Sequence, residues 1–183
     1  MAKNLAAVLS GGGDATGVWV APKGTTGPTD LATPSATYKE AGWLSEDGVS
    51  VGRNEDRKVF KAHQGGKTVK RKTASVEDTI KFQCLETNAV TLGLLYKKAT
   101  LPAAVAGVVT IPVTNQTVTD DRAWVIDEIL DDGSTMRYVI PSGSVGSSAD
   151  IVYKTDEMTV YEFELGINGD YNVVTNVPAV VTP

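Results

Sequence analysis

The sequence predicts a mainly β chain: two packed sheets of the β-sandwich or barrel-like kind, one flanking α-helix and one projecting β-hairpin. Three observations carry this expectation. Turn formers are dense, with 18 Gly and 8 Pro in 183 residues, while Val and Thr, whose branched side chains suit a pleated half-buried surface, recur throughout. Period-two alternation is clear in two stretches. In Val76–Glu86, Val76, Ile80, Phe82 and Cys84 face one way and Glu77, Thr79, Lys81 and Gln83 the other; in Met158–Ile167, Tyr161, Phe163, Leu165 and Ile167 oppose Glu162 and Glu164. Convincing helical spacing is confined to Thr87–Lys98.

Taken in order, residues 1–40 read as an N-terminal loop or arm. Ser10-Gly11-Gly12-Gly13-Asp14 and Lys23-Gly24-Thr25-Thr26-Gly27-Pro28 are loop chemistry, and between them Gly17–Pro22 is a short strand ended by proline. The triple glycine is a flexible loop and not a phosphate cradle, because no Gly-Lys-Ser/Thr and no helix pattern follow it. Gly42–Val51 reads as a strand end, a turn at Glu46–Gly48 and a new strand. Arg57–Gln64 runs out, Gly65-Gly66 tolerates the positive φ of a tight turn, and Lys67–Ser75 returns. This hairpin, residues 57–75, has few apolar side chains on either face and is expected to project from the body.

The helix is expected over residues 87–98, about three turns. Thr87 or Asn88 caps it, Lys97 and Lys98 complement its C-terminal dipole, and Val90, Leu94 and Leu95 form its apolar stripe. Further strands are expected at Val105–Val113, Arg122–Leu130 and Met136–Ile140, the last two joined through Asp131-Asp132-Gly133-Ser134. Pro141–Ser148 reads as a loop, Asp150–Lys154 and Met158–Ile167 as a strand pair, and Tyr171–Thr175 as a short final strand. No internal repeat or long linker interrupts this order, so residues 1–183 are expected to form a single domain.

Composition bounds the function. Hydrophobic residues make up 42% and charged residues 21%, which excludes a disordered chain, and a chain of this length buries roughly 70% of its unfolded surface. No segment approaches the ~20 apolar residues of a membrane span. Met1–Asp14 lacks a signal-peptide core, so synthesis and folding in a cytoplasm are expected. Charge is unevenly spread within a net −5. Residues 53–72 hold Arg53, Arg57, Lys58, Lys61, Lys67, Lys70, Arg71 and Lys72, 8 of the 17 basic residues, whereas Asp120 onward holds 12 acids and 3 bases. A solvated basic hairpin beside an acidic face, or two complementary surfaces meeting on neighbouring copies, accounts for this asymmetry.

Catalytic signatures are missing. The single histidine, His63, lies beside the hairpin turn, Cys84 sits on an apolar strand face, and there is no Gly-x-Ser-x-Gly elbow. One His and one Cys do not make a zinc site, and neither Asp131-Asp132 nor Asp156-Glu157 has the spacing of a calcium loop. Glu162 and Glu164, with Asp127 or Glu128, could form a carboxylate pair, but a solvent-facing acidic strand accounts for them better. Phe60 alone is interleaved with the basic run, which disfavours nucleic-acid binding. No catalytic, cofactor-binding or metal-binding residue is therefore assigned, and the chain is expected not to be an enzyme.

Five stretches, in order, resemble the major tail tube proteins of siphophages, especially those infecting actinobacteria. They are Gly17-Val18-Trp19-Val20-Ala21-Pro22-Lys23-Gly24-Thr25, Gly42-Trp43-Leu44-Ser45-Glu46-Asp47-Gly48-Val49, Lys61-Ala62-His63-Gln64-Gly65-Gly66, Lys81-Phe82-Gln83-Cys84-Leu85-Glu86-Thr87-Asn88 and Tyr161-Glu162-Phe163-Glu164-Leu165. The resemblance implies a β-sandwich-like subunit with a flanking helix. Six copies would form a ring, and rings would stack into a hollow tube around a tape-measure protein, bounded by tail terminator and tail-tip proteins. Phage DNA would pass through the lumen without specific binding. Many relatives carry an additional immunoglobulin-like C-terminal domain; the sequence ends at Pro183 without one, which shortens the expected outer surface.

On that footing Arg57, Lys58, Lys61, Lys67, Lys70, Arg71 and Lys72 are expected at a subunit or ring interface, with the acidic C-terminal half as counterpart, and Glu162 and Glu164 are expected to face the lumen. The expected location is the virion tail, after synthesis in the host bacterial cytoplasm. Competing readings are another virion structural protein (a tail terminator, capsid decoration or baseplate module) and a carbohydrate-binding β-sandwich. The latter needs an aromatic platform, and Trp19, Trp43 and Trp124 lie on separate predicted strands.

Overall fold

The computed structural model describes residues 7–181. Its strands are β1 (Gly17–Pro22), β2 (Lys39–Glu40), β3 (Leu44–Lys61), β4 (Thr68–Cys84), β5 (Asp121–Ile129), β6 (Thr135–Ser148), β7 (Tyr161–Ile167) and β8 (Asn172–Thr175). Two helices join them, α1 (Ala89–Leu95) and the short α2 (Pro178–Val181). The mainly β class stands. All strands belong to one eight-stranded sheet in the order β2-β1-β5-β6-β7-β4-β3, with β8 pairing the first half of β6, and every pairing is antiparallel.

The sheet curls on itself. β5 and β4 are separated by β6 and β7, which in a flat sheet would hold them roughly 14 Å apart. Yet the rings of Phe82 on β4 and Trp124 on β5 lie 6.0 Å apart, edge to face. The two layers anticipated from the sequence are thus two facing halves of a single curled sheet. Val18, Val20, Trp124, Ile126 and Ile140 come from one half, Ile80, Phe82, Phe163 and Leu165 from the other, and together they form one core. α1 lays Leu94 onto it.

β5 is buried on both faces, so its sequence reads as a continuous apolar run. Trp124 and Ile126 enter the main core; Ala123 and Val125 face a smaller cluster with Ala21, Tyr38 and the partly covered Trp19. On that second face Asp127 meets Arg137 of β6 in a two-pronged ion pair, Nε to Oδ1 and Nη2 to Oδ2 both at 2.6 Å. The remaining guanidinium nitrogen donates to the carbonyls of Asp30 and Ala32, each at 2.7 Å, and pins the 28–36 loop onto the sheet.

Several expectations are corrected, each for a physical reason. Glu46–Gly48 is not a turn between strands but a bulge within β3: the pairing jumps from Leu44↔Cys84 to Val49↔Phe82, with Gly48 at φ 65°. Pro141–Ser148 is not a loop but the second half of β6. Pro141 sits where the β5–β6 register shifts between Arg122 and Trp124, a bulge that excuses its missing N–H. Gly143 is required there, since a Cβ would come within 2.9 Å of Leu165 and 3.1 Å of the Gly166 carbonyl.

Val105–Val113 is not a strand. Val105 and Val108 bridge across Ala106-Gly107, both at positive φ, and the rest finds no partner strand among the described residues. Asp150–Lys154 is likewise irregular. The helix is two turns, not three. It stops because Lys97 adopts φ 51° and the chain folds back, with the Lys98 N–H donating to the Gly93 carbonyl at 2.7 Å. The cation at its C-terminal end is Arg122 rather than Lys97 or Lys98: its Nη2 donates to the carbonyls of Gly93 (3.0 Å) and Lys98 (2.8 Å). At the other end Asn88 is the cap, accepting from Val90 and Thr91 while Thr91 Oγ1 accepts from Asn88.

The triple glycine is a loop as expected, but a fixed one. The N–H groups of Gly12 and Gly13 both donate to the Ile129 carbonyl at 3.1 Å. Gly13 has no room for a Cβ beside Ile129, whose Cγ2 would lie 2.7 Å away. Among the described residues no helix is long and apolar enough to cross a membrane.

Candidate assembly surfaces

The hairpin expected over residues 57–75 is the outer part of a longer ribbon. β3 and β4 pair from Leu44↔Cys84 to Lys61↔Thr68, whereas β7 covers β4 only from Thr79 to Cys84. Beyond Asp78, itself partly covered at the root, both faces of the ribbon strands are open to solvent. Gly65 and Gly66 close the tip at φ 71° and 64°, as the turn chemistry requires. A free two-stranded ribbon is only marginally stable in water, and this one spends little apolar surface on the body.

The register brings the predicted basic residues together. Lys58 lies directly opposite Lys72, Phe60 opposite Lys70, Val59 opposite Arg71 and Lys61 opposite Thr68, while Lys67 adjoins the turn. Like charges directly across a ladder destabilise it. The mitigation visible within the chain is slight: Lys58 Nζ sits 5.7 Å from the Phe60 ring centroid, and Arg57 bonds Glu55 at 2.9 Å, holding the Glu55 carboxyl below its usual value. Among the described residues Lys58, Lys61, Lys67, Lys70, Arg71 and Lys72 form no salt bridge.

Glu162 and Glu164 lie on the outer face of β7, alternating with the buried Tyr161, Phe163 and Leu165. They stand in a polar row running across β4, β7 and β6. Gln83 donates to Glu162 at 3.4 Å, Lys81 pairs with Glu164 at 3.3 Å, and Ser147 also donates to Glu164 at 3.3 Å. Glu164 is therefore partly compensated and Glu162 is not. Asp127 is not near this pair: it is consumed by Arg137 inside the molecule, with side-chain exposures of 7% and 2%.

The acidic C-terminal half is likewise less available than its count suggests. Asp120 pairs with Arg122 at 2.6 Å, Asp121 with Lys23 at 2.7 Å and Glu157 with Lys154 at 2.7 Å. Glu128 is half-buried, its carboxyl pushed up by burial, and its Oε2 has no hydrogen-bond partner. Nor is an activated nucleophile assembled among the described residues. Cys84 is fully buried and its thiol is pushed up to about 12, by burial first and then by Glu86. His63 is exposed in the turn at the ribbon tip.

Two features escaped the sequence reading. Trp43 is 71% exposed although its backbone is locked, its N–H donating to Glu86 at 2.9 Å and its carbonyl accepting from Leu85 at 2.9 Å. A cleft of about 610 Å³ opens at the ribbon root, lined by Arg53, Val76, Asp78, Asp170, Tyr171 and Val173. Isolated tryptophan and aspartate letters carry no periodicity, so no sequence signal marks either feature.

A family model described as phage tail tube protein matches residues 1–168. No curated protein sequence matches the chain. Among solved structures, the chain is similar to a chain of the virion of a native gene transfer agent particle, with 10% identity, a TM-score of 0.47, and coverage of 90% of this chain and 99% of that one. It is also similar to a chain of the tail of an empty gene transfer agent particle refined helically with C6 symmetry, with 13% identity, a TM-score of 0.40, and coverage of 94% and 99%.

Proposed function

The chain belongs to the phage tail tube protein family, a family of virion tail components, and from that premise we propose that it self-assembles as stacked hexameric rings forming a hollow conduit for genome ejection. The observation that carries this reading is the β3–β4 ribbon. It leaves the body with both faces exposed, and it gathers at its tip six cations without salt bridges among the described residues. A subunit that folded for itself alone would have no use for such a ribbon. One that docks on copies of itself gains both the missing contacts and the missing counter-charges. Arg57, Lys58, Lys61, Lys67, Lys70, Arg71 and Lys72 form this interface to a neighbouring subunit or ring.

The curled sheet supports the same reading. Its path ends at β2 and β3, and β3 is a long edge strand. Exposed edges of that length invite pairing, and a barrel shared between copies removes them. The outer polar face of β4 and β7, with Glu162 and Glu164, then lines the bore. A carboxylate-bearing wall repels phosphates, whereas a basic wall would release counterions and hold DNA where passage is needed. A tape-measure protein occupies the bore during assembly, and tail terminator and tail-tip proteins close the ends. No catalysis or cofactor is assigned to the subunit.

The test is the variant K70E/R71E/K72E. It is expected to keep the circular dichroism of the parent and to melt no lower, since these side chains are exposed and the K72E change relieves the repulsion with Lys58, and to lose sedimentable polymer. Normal polymer from this variant would contradict the interface role.

A further inference from the structure

Asp78 is poorly served within its own chain. Its Oδ2 lies 3.6 Å from Arg53 Nη1, beyond hydrogen-bond length, and its Oδ1 is buried with no hydrogen-bond partner. A buried carboxylate oxygen left unsatisfied carries the full cost of its desolvation. Asp78 lines the root cleft of about 610 Å³, as does the exposed Asp170, while Tyr171 and Val173 supply apolar wall. The cleft has the chemistry to take a long cationic side chain: two lining carboxylates against the single lining cation, Arg53, and apolar surface for the methylene stem.

The molecule also carries uncompensated cations at the far end of the same ribbon. Lys67, Lys70, Arg71 and Lys72 are exposed there without salt bridges among the described residues. A chain's own tip does not reach its own root, because the strand between Asp78 and Thr68 is extended and spans about 30 Å. We propose that the cleft receives the basic ribbon tip of a second copy, with Asp78 and Asp170 accepting from Arg71 and its neighbouring lysines.

This deepens the tail tube reading and rests on it. Donor and acceptor are different surfaces, so a one-way contact is heterologous and, repeated, closes a ring or extends a stack, whereas two copies exchanging tips reciprocally would stop at a dimer. The ribbon thus serves as a spacer whose length sets the distance between copies, and the charges fix register more than strength.

The experiment places cysteines at both ends of one chain, R71C/D170C, both positions being exposed and the native Cys84 fully buried. Under oxidation, assembled protein is expected to give a ladder of covalent multimers on non-reducing gels. Each single variant alone should give no ladder, and a mixture of the two should give dimers and nothing larger. As a check without substitution, a zero-length carbodiimide on wild-type polymer is expected to join Asp78 or Asp170 to Lys67, Lys70 or Lys72 between copies, read by mass spectrometry. Wild-type tubes with neither ladder nor these cross-links would overturn the cleft contact and leave the tail tube reading standing. Wild-type protein that never polymerises, even with tail-tip proteins present, would overturn both.

Discussion

Asp127 and Arg137 stand ten positions apart on neighbouring strands, and their paired side chains are the most deeply buried charges described. Arg137 ties two strands and the 28–36 loop together, so removing it strands the Asp127 carboxylate. R137A is expected to cost about 3–5 kcal/mol of stability, measured by urea unfolding. Glu128 gives a pH signature. Burial raises its carboxyl, so its contribution is present below the ordinary carboxylate range and is lost as pH rises through the raised value. E128Q is accordingly expected to gain stability over the parent at pH 7 and to lose that advantage by pH 4, in the same unfolding assay. Some of this scale was legible in the sequence. Cys84 sits on an apolar strand face in the sequence, and it is fully buried. The Asp127–Arg137 pair was not legible, because spacing alone offers Asp127 several partners and only the β5–β6 register selects Arg137.

At the scale of elements, strands with a clean alternation were found where the pattern placed them. β1 spans Gly17–Pro22 as expected, and Tyr161–Ile167 keeps its apolar and acidic sides. The departures share one cause: turn chemistry is local, whereas strand pairing depends on a partner distant in sequence. Pro141-Ser142-Gly143 signals a loop, yet with β5, β7 and β8 all bonded to β6 it becomes a bulge inside a strand. Conversely, Val105–Val113 has strand composition but no neighbour to pair with among the described residues. The helix was placed correctly at its start and too long at its end, because the stop lies in a distant residue, Arg122, and in the return of Lys98 onto Gly93. Two substitutions measure this element. N88A removes the cap and the Nδ2 bond to the Ala41 carbonyl and is expected to cost about 1–2 kcal/mol. G93A brings a Cβ within 2.9 Å of the Lys98 carbonyl and is expected to cost about 1–3 kcal/mol. Thermal melts followed by circular dichroism distinguish both from the parent.

For the whole molecule, mainly β architecture, a flanking helix and a projecting ribbon were all readable from turn residues, periodicity and charge. That two layers are halves of one curled sheet was not, since curl depends on which strands meet at the edges. The candidate assembly surface was legible in part for a similar reason. A run of bases flanking Gly65-Gly66 announces an exposed basic hairpin, whereas its cross-strand crowding of Lys58 on Lys72 and the root cleft appear only with the register. Among the described residues the core is closed, while β3 is a long edge strand, the ribbon-tip cations form no salt bridge and Asp78 Oδ1 has no hydrogen-bond partner.

The most direct measurement is electron microscopy of the purified protein across concentration and time, followed by helical reconstruction. The account predicts hollow, uniform tubes of six-fold stacked rings, with ribbons bridging copies and the Glu162 face lining the bore. Rings or trimers that never extend, or tubes with Glu162 and Glu164 on the outer surface, would contradict it.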